Sequence, residues 1–241
     1  MKKILSAILA AVLLLSLMAP AFADDPAGLI YIYGGSSDKN RAKLKTMGQQ
    51  SWYMMYSTQI NMGAEIDLTT FKECVQTETG MWKPAESAII PSQDPAKEGE
   101  DQTFNADWFN IRKDGFLGGD TAFSAGLKWV CEVDGVYDIA ANLSGGSSNG
   151  YLTEGAYNAD GYYNPASDGC YMSLWIKDEV VFCEDTWAYE GHRMPRVEME
   201  FNGVELKAGD CIWLVNDTKT NGGWDDAWFH VIITRTGDLP Q

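Results

Sequence analysis

From about residue 120 to the C-terminus, apolar and polar residues alternate with a period of two and are interrupted by turn-forming pairs. A half-buried β-strand needs this pattern because its successive side chains point to opposite faces, and a helix cannot use it. In Gly126 to Val133, Leu127, Trp129, Cys131 and Val133 share a face, and Tyr137, Ile139, Ala141 and Leu143 do so in Val136 to Leu143. Asp134-Gly135 lies between them, and Gly supplies the positive φ of a tight turn, so the two runs are expected to pair as a hairpin. Arg196 to Phe201 repeats the pattern, with Val197, Met199 and Phe201 on one side and Glu198 and Glu200 on the other. Asn202-Gly203 then predicts a turn and a return strand from Val204 to Lys207. The two glutamates read as solubilising positions on the wet face rather than as a catalytic pair. Further strands are expected at 171–177, 180–183, 211–216 and 228–234, and no amphipathic helix follows residue 70. The expectation is an all-β, antiparallel sandwich.

The N-terminal part follows other rules. Residues 1–23 have the layout of a secretory signal: Lys2 and Lys3, an apolar run from Ile4 to Met18, Pro20, then Ala21-Phe22-Ala23. That run is short for a membrane span, which needs about 20 residues. No cysteine follows the cleavage site to take a lipid, and free secretion is expected. Residues 24–50 read as an N-terminal extension, with a short helix from Asp38 to Gln50 opening at an Asp cap. Residues 51–236 read as one β-sandwich domain whose first strand is Ser51 to Ser57, and 237–241 as a tail. The span Thr77 to Gln102, with Pro84, Pro91, Pro95 and a charged stretch, predicts an exposed loop.

Lys and Arg number 18 against 34 Asp and Glu, a formal net charge of −16, which repels nucleic-acid backbones and anionic lipid. Nucleic acid and membrane insertion are therefore not expected. The five cysteines, Cys74, Cys131, Cys170, Cys183 and Cys211, form no C-x-x-C motif. Cys131 and Cys211 alternate in step with apolar neighbours and fit core positions. An oxidising compartment leaves one or two disulfides open.

Three stretches together resemble a family. They are Trp108 to Gly118 (WFNIRKDGFLG), the strand 127–133 with Asp134-Gly135-Val136-Tyr137-Asp138-Ile139, and 206–216 (LKAGDCIWLVN) with the later Asp225. They are similar to the jelly-roll, carbohydrate-binding-module-like accessory domains of secreted bacterial polysaccharide-degrading enzymes. The resemblance spans roughly residues 50 to 236. It implies an antiparallel jelly-roll β-sandwich and a glycan ligand. The chain departs from the family's W-x-x-P segment, since Trp129 is followed by Val130, Cys131 and Glu132. No catalytic domain accompanies the module in this chain.

Three segments hold candidate binding residues. Ser144 to Gly169 carries Tyr151, Tyr157, Tyr162 and Tyr163, Glu184 to Glu190 carries Trp187 and Tyr189, and Asn216 to Trp228 carries Trp224 and Trp228. Tyr and Trp rings stack on the C–H face of a sugar while Asn, Asp and Ser bond its hydroxyls. Such loops at one end of a sandwich converge on a ligand surface. The binding set expected is Tyr157, Tyr162, Tyr163, Trp187, Tyr189 and Trp224. Asp217, Asp225 and Asp226 share one of these segments, where they would either cage a structural Ca²⁺ or form turns. His192 and His230 belong to no zinc motif, and there is no G-x-S-x-G elbow. The leading reading is a secreted, non-catalytic polysaccharide-binding domain. The alternatives are an extracellular structural or protein-interaction domain, and a jelly-roll lyase or glycoside hydrolase using His192, Arg193 and the tyrosine loop.

Overall fold

In the computed structural model, the residues described are 29–34, 48–91, 99–104, 106, 109–111, 116–118, 123–147, 169–189, 193–219 and 225–240. The strands among them are β1 (Ile30–Gly34), β2 (Trp52–Ser57), β3 (Lys72–Glu73), β4 (Val75–Gln76), β5 (Trp82–Lys83), β6 (Ala88–Pro91), β7 (Asp101–Phe104) and β8 (Asn110–Ile111). They continue as β9 (Phe116–Gly118), β10 (Ser124–Val130), β11 (Gly135–Ser147), β12 (Cys170–Ile176), β13 (Glu179–Asp185), β14 (Arg193–Leu206), β15 (Cys211–Thr218) and β16 (Asp225–Gly237). Helical structure among the described residues is confined to short 3-10 turns, and no helix there is long and apolar enough to cross a membrane.

Two antiparallel sheets face each other. One runs β14-β11-β16-β9-β8-β5-β4, with β1 also on β16, and the other β13-β12-β15-β10-β2-β3. Set aside β2 and the short strands, and β1, β10 and β11 to β16 interleave. The first lies beside the last, the second beside the seventh, and each connection between β10 and β12 and between β13 and β16 crosses layers. This is the strand order of a jelly roll.

Alternation places the core as expected. Leu127, Trp129 and Cys131 of one layer meet Tyr137, Ile139, Ala141 and Leu143 of the other, all buried. Trp129 joins the layers, with its ring centroid 5.1 Å from that of Tyr31 and 5.6 Å from that of Tyr137. Val197, Met199 and Phe201 pack against this core while Glu198 and Glu200 stay exposed. All five cysteines are free thiols.

Several expectations fail for identifiable reasons. β10 and β11 do not form a hairpin: β10 pairs with β2 and β15, β11 with β14 and β16, and the turn between them crosses from one layer to the other. Asp134-Gly135 marks a turn but cannot say which sheet receives the next strand. A second turn packs on this corner, since Cys131 N–H donates to Asp210 O and Gly209 N–H to Cys131 O, both at 2.8 Å. The Leu206 to Asp210 segment behind the family resemblance therefore serves the fold. Asn202-Gly203 is not a hairpin turn either. It lies inside the continuous strand β14, where Val204 faces Tyr137 and Phe201 faces Ile139, so two residues oppose the single Asp138. Gly203 takes the φ of +71° this bulge uses and its N–H donates to Asp138 Oδ1 at 2.9 Å.

The N-terminal extension contributes a strand, because β1 pairs with β16 from Ile30↔Thr234 to Gly34↔His230. Of the helix expected over Asp38 to Gln50, residues 38–47 lie outside the described residues, and Gln49–Ser51 is a 3-10 turn. The presumed loop from Thr77 contains β5 and β6, and Trp82 and Pro84 are buried.

The outer face of the six-stranded sheet holds a second apolar cluster. Met55, Trp175, Trp213 and Val215 are buried there under Ile66, Leu68 and Phe71 of the segment that follows β2. Cys211 packs here, with Trp213 and Val215, rather than in the main core. Gly126 makes the cover possible, since a Cβ there would lie 2.7 Å from the Phe71 ring.

The layer-crossing corner gives a direct test. A Cβ on Gly135 would stand 2.6 Å from Arg235 Nε and 2.9 Å from the Gly237 carbonyl oxygen. Gly135→Ala is expected to cost about 1–3 kcal/mol through overpacking, read by urea denaturation. Gly203→Ala, with open space at its Cβ but a positive φ, should cost about 1 kcal/mol.

Candidate aromatic site at one end of the sandwich

The three segments read as ligand loops are bracketed by strands that end together. Ser147 at the end of β11 faces Asp225 at the start of β16, and Gly146 faces Arg193 at the start of β14. In the other sheet, Cys170 faces Thr218 and Tyr171 faces Asp185. Residues 144–147, 217–218 and 225–227, read as loop from the sequence, belong to strands. Tyr151, Tyr157, Tyr162, Tyr163, His192 and Trp224 lie outside the described residues. Asp225 and Asp226 open β16.

Trp187 sits on the 3-10 turn Thr186–Ala188, where Asp185 caps the turn by accepting from the Trp187 N–H at 2.9 Å. Beneath it the buried Thr186 hydroxyl accepts from the Cys170 N–H at 2.9 Å, anchoring the turn to β12. Gly169 faces this turn with a φ of +75°, and a Cβ there would fall 2.7 Å from the Thr186 hydroxyl. Lys219 Nζ reaches both Asp185 carboxylate oxygens at 2.6 Å and lies 4.9 Å from the Tyr171 ring centroid. The capping carboxylate is thus fixed from two sides, and the Trp187 indole is held with 43% of its surface exposed. Tyr189 is half-buried and packs against the main core, so it presents less of its ring than Trp187 does.

Asp217 has a role the sequence did not suggest. It lies on β15 and is buried, with four donors on its carboxylate. Oδ1 accepts from Asn61 N–H and Ser124 Oγ, both at 2.9 Å, and Oδ2 from Met62 N–H at 2.8 Å and Gly63 N–H at 2.6 Å. These bonds dock the start of the segment that covers Trp175 and Trp213. With its acceptor positions turned to protein donors, this carboxylate works as a clamp. Among the described residues no group of three or more His, Cys, Asp or Glu side chains is arranged to hold a metal ion. Burial pushes the Asp217 carboxyl up to about 6, against the hydrogen bonds from Gly63, Ser124, Met62 and Asn61 that pull it down.

A second group joins Trp228, which the sequence pointed to, with His230, Asn142 and Arg196, which it did not mark as binding residues. Along β16, Ala227, Phe229, Val231 and Ile233 point into the core, so Trp228 and His230 face outward. Trp228, 40% exposed, stands three residues from the start of the strand, opposite Ser144. His230 faces Asn142, and Asn142 faces Glu198. Arg196 Nε and Nη2 donate to Asn142 Oδ1 at 3.2 and 3.0 Å, and Arg196 Nη2 pairs with Glu198 Oε1 at 3.0 Å. Period-two parity through 227–233 carried this signal, but parity alone did not say which face met solvent.

Asp217→Ala is expected to lower stability by about 1–3 kcal/mol, because the Met62 and Gly63 N–H groups lose their acceptor, whereas the Asn61 N–H keeps Thr218 O and the Ser124 hydroxyl keeps Gln59 O. The pH dependence is the reverse of an ordinary ion-paired carboxylate. A folded-state value raised above 3.8 means the native state binds the proton more tightly, so this group's contribution is greatest below pH 4 and is lost as pH rises through 6. The melting temperature of the wild type relative to Asp217→Asn should therefore rise between pH 7.5 and 4.5; a flat difference would contradict it.

No protein-family model and no curated protein sequence matches the chain.

Proposed function

We propose that this chain is a secreted, non-catalytic domain that binds polysaccharide at the end of the jelly roll where β11 to β16 are joined. The observation that carries this reading is the pair of exposed indoles, Trp187 and Trp228, on elements that bracket three aromatic-bearing segments at that one end. An indole held by a capped turn loses little conformational freedom on binding, and its face suits the C–H side of a pyranose ring. The acidic surface suits an uncharged ligand, and export follows from the layout of residues 1–23. The reading needs no cation, since Asp217 is committed to the segment following β2.

A protein-interaction role is a second reading, favoured by the edge strand β13, where Val180 and Val181 are exposed. Light scattering that shows a stable oligomer, with no glycan bound, would select it.

A glycan array followed by titration calorimetry tests the first reading. Trp187→Ala and Trp228→Ala are each expected to weaken binding about tenfold or more, a loss of about 1.4 kcal/mol, with the circular dichroism spectrum unchanged. Full affinity in both folded variants would remove the site.

A further inference from the structure

We propose that the outer face of the eight-stranded sheet beside Trp228 is a recess for a neutral glycan chain, with Asn142, Arg196, Glu198 and His230 as its hydrogen-bonding floor. This inference rests on the glycan-binding reading and names the sugar class and the residues that would select it.

The register sets the row. Glu198, Asn142, His230 and Gly34 lie side by side on β14, β11, β16 and β1, with neighbouring strands about 4.8 Å apart. Gly34 ends the row with no side chain. Trp228 stands two residues from His230 on the same face, so an indole and a polar row adjoin, an arrangement that stacks one sugar ring while bonding its neighbour.

His230 supplies the chemical argument. Its Nε2 is buried with no hydrogen-bond partner among the described residues. A buried polar atom left unpaired costs about 1–3 kcal/mol, and such atoms in native proteins call for an explanation. Burial first, and the charge of Arg196 second, hold the imidazole below its ordinary pKa, so it is neutral at neutral pH. A neutral ring nitrogen is matched by a hydroxyl, which can donate or accept whichever tautomer is present.

Charge sets the class. Arg196 is already paired with Glu198 and bonded to Asn142, and Glu198 and Glu200 are exposed on this face. An incoming carboxylate or sulfate would meet these acids without an uncommitted cation in the row. A neutral chain meets the amide of Asn142, the carboxylate of Glu198 and the guanidinium of Arg196 as hydrogen-bonding groups.

Affinity electrophoresis and calorimetry on the full chain, with xylan, mannan, β-glucan and polygalacturonate as probes, test this. At least one neutral polysaccharide should bind, and polygalacturonate should not. His230→Leu and Asn142→Ala should each weaken the neutral ligand about tenfold, with His230→Gln retaining most of the affinity and serving as the readout should His230→Leu not fold. If Trp187→Ala weakens binding but the His230 and Asn142 variants bind as wild type, the recess is overturned while the glycan reading stands. Preferential binding of polygalacturonate overturns the neutral class. Binding of no probe removes both readings.

Discussion

The last strand, β16, is the constraint on which the rest of the structure depends. Along one edge it pairs with β11 from Val136↔Gly237 to Ser147↔Asp225, and along the other it receives β1 and then β9. Its backbone groups are therefore paired on both sides, as a strand buried in the middle of a sheet requires. Ala227, Phe229, Val231 and Ile233 fill the space between the layers. With those four side chains fixed inward, the period of two leaves no choice but to send Trp228 and His230 outward. The polar face is a by-product of how the core is filled.

The two outer faces of the sandwich are finished differently. On the six-stranded sheet the row Tyr53, Lys128, Trp213, Trp175 crosses four strands, but the segment after β2 lies over it and buries both tryptophans. Asp217 secures that cover with three backbone hydrogen bonds from a buried position, and Gly126 lets Phe71 reach the sheet. The cover thereby removes the more aromatic face from use as a platform. The eight-stranded sheet instead presents Glu198, Asn142 and His230 in a polar row with Trp228 beside it. The asymmetry follows from one loop, and it explains why exposed indoles occur at the strand ends and not on the more aromatic sheet.

Two of the motifs that suggested a family meet at a corner. Asp134-Gly135 and the Leu206 to Asp210 run meet where the chain crosses between layers, and Asp134 Oδ1 accepts from Ala208 N–H at 2.8 Å. Such motifs recur wherever two layers must be linked tightly, so they report architecture and say little about a ligand. The residues proposed to bind, Trp187 on its capped turn and the Arg196–Asn142 pair, lie outside them.

The sequence by itself determined which residues share a face of each strand and that the strands are antiparallel and layered. These are local properties, set by a period of two and by the backbone preferences of Gly, Asp and Asn. It did not determine which strands are neighbours: the turn at Asp134-Gly135 leads to the opposite layer, and Asn202-Gly203 bends a strand instead of reversing it. Nor did it mark Asp217 as a clamp, because that role depends on the approach of Asn61, Met62 and Gly63 from more than 150 residues away. Tertiary structure settled what depends on contacts between distant segments, since the free energy that chooses a partner strand comes from burying two faces at once and is not written in either one alone.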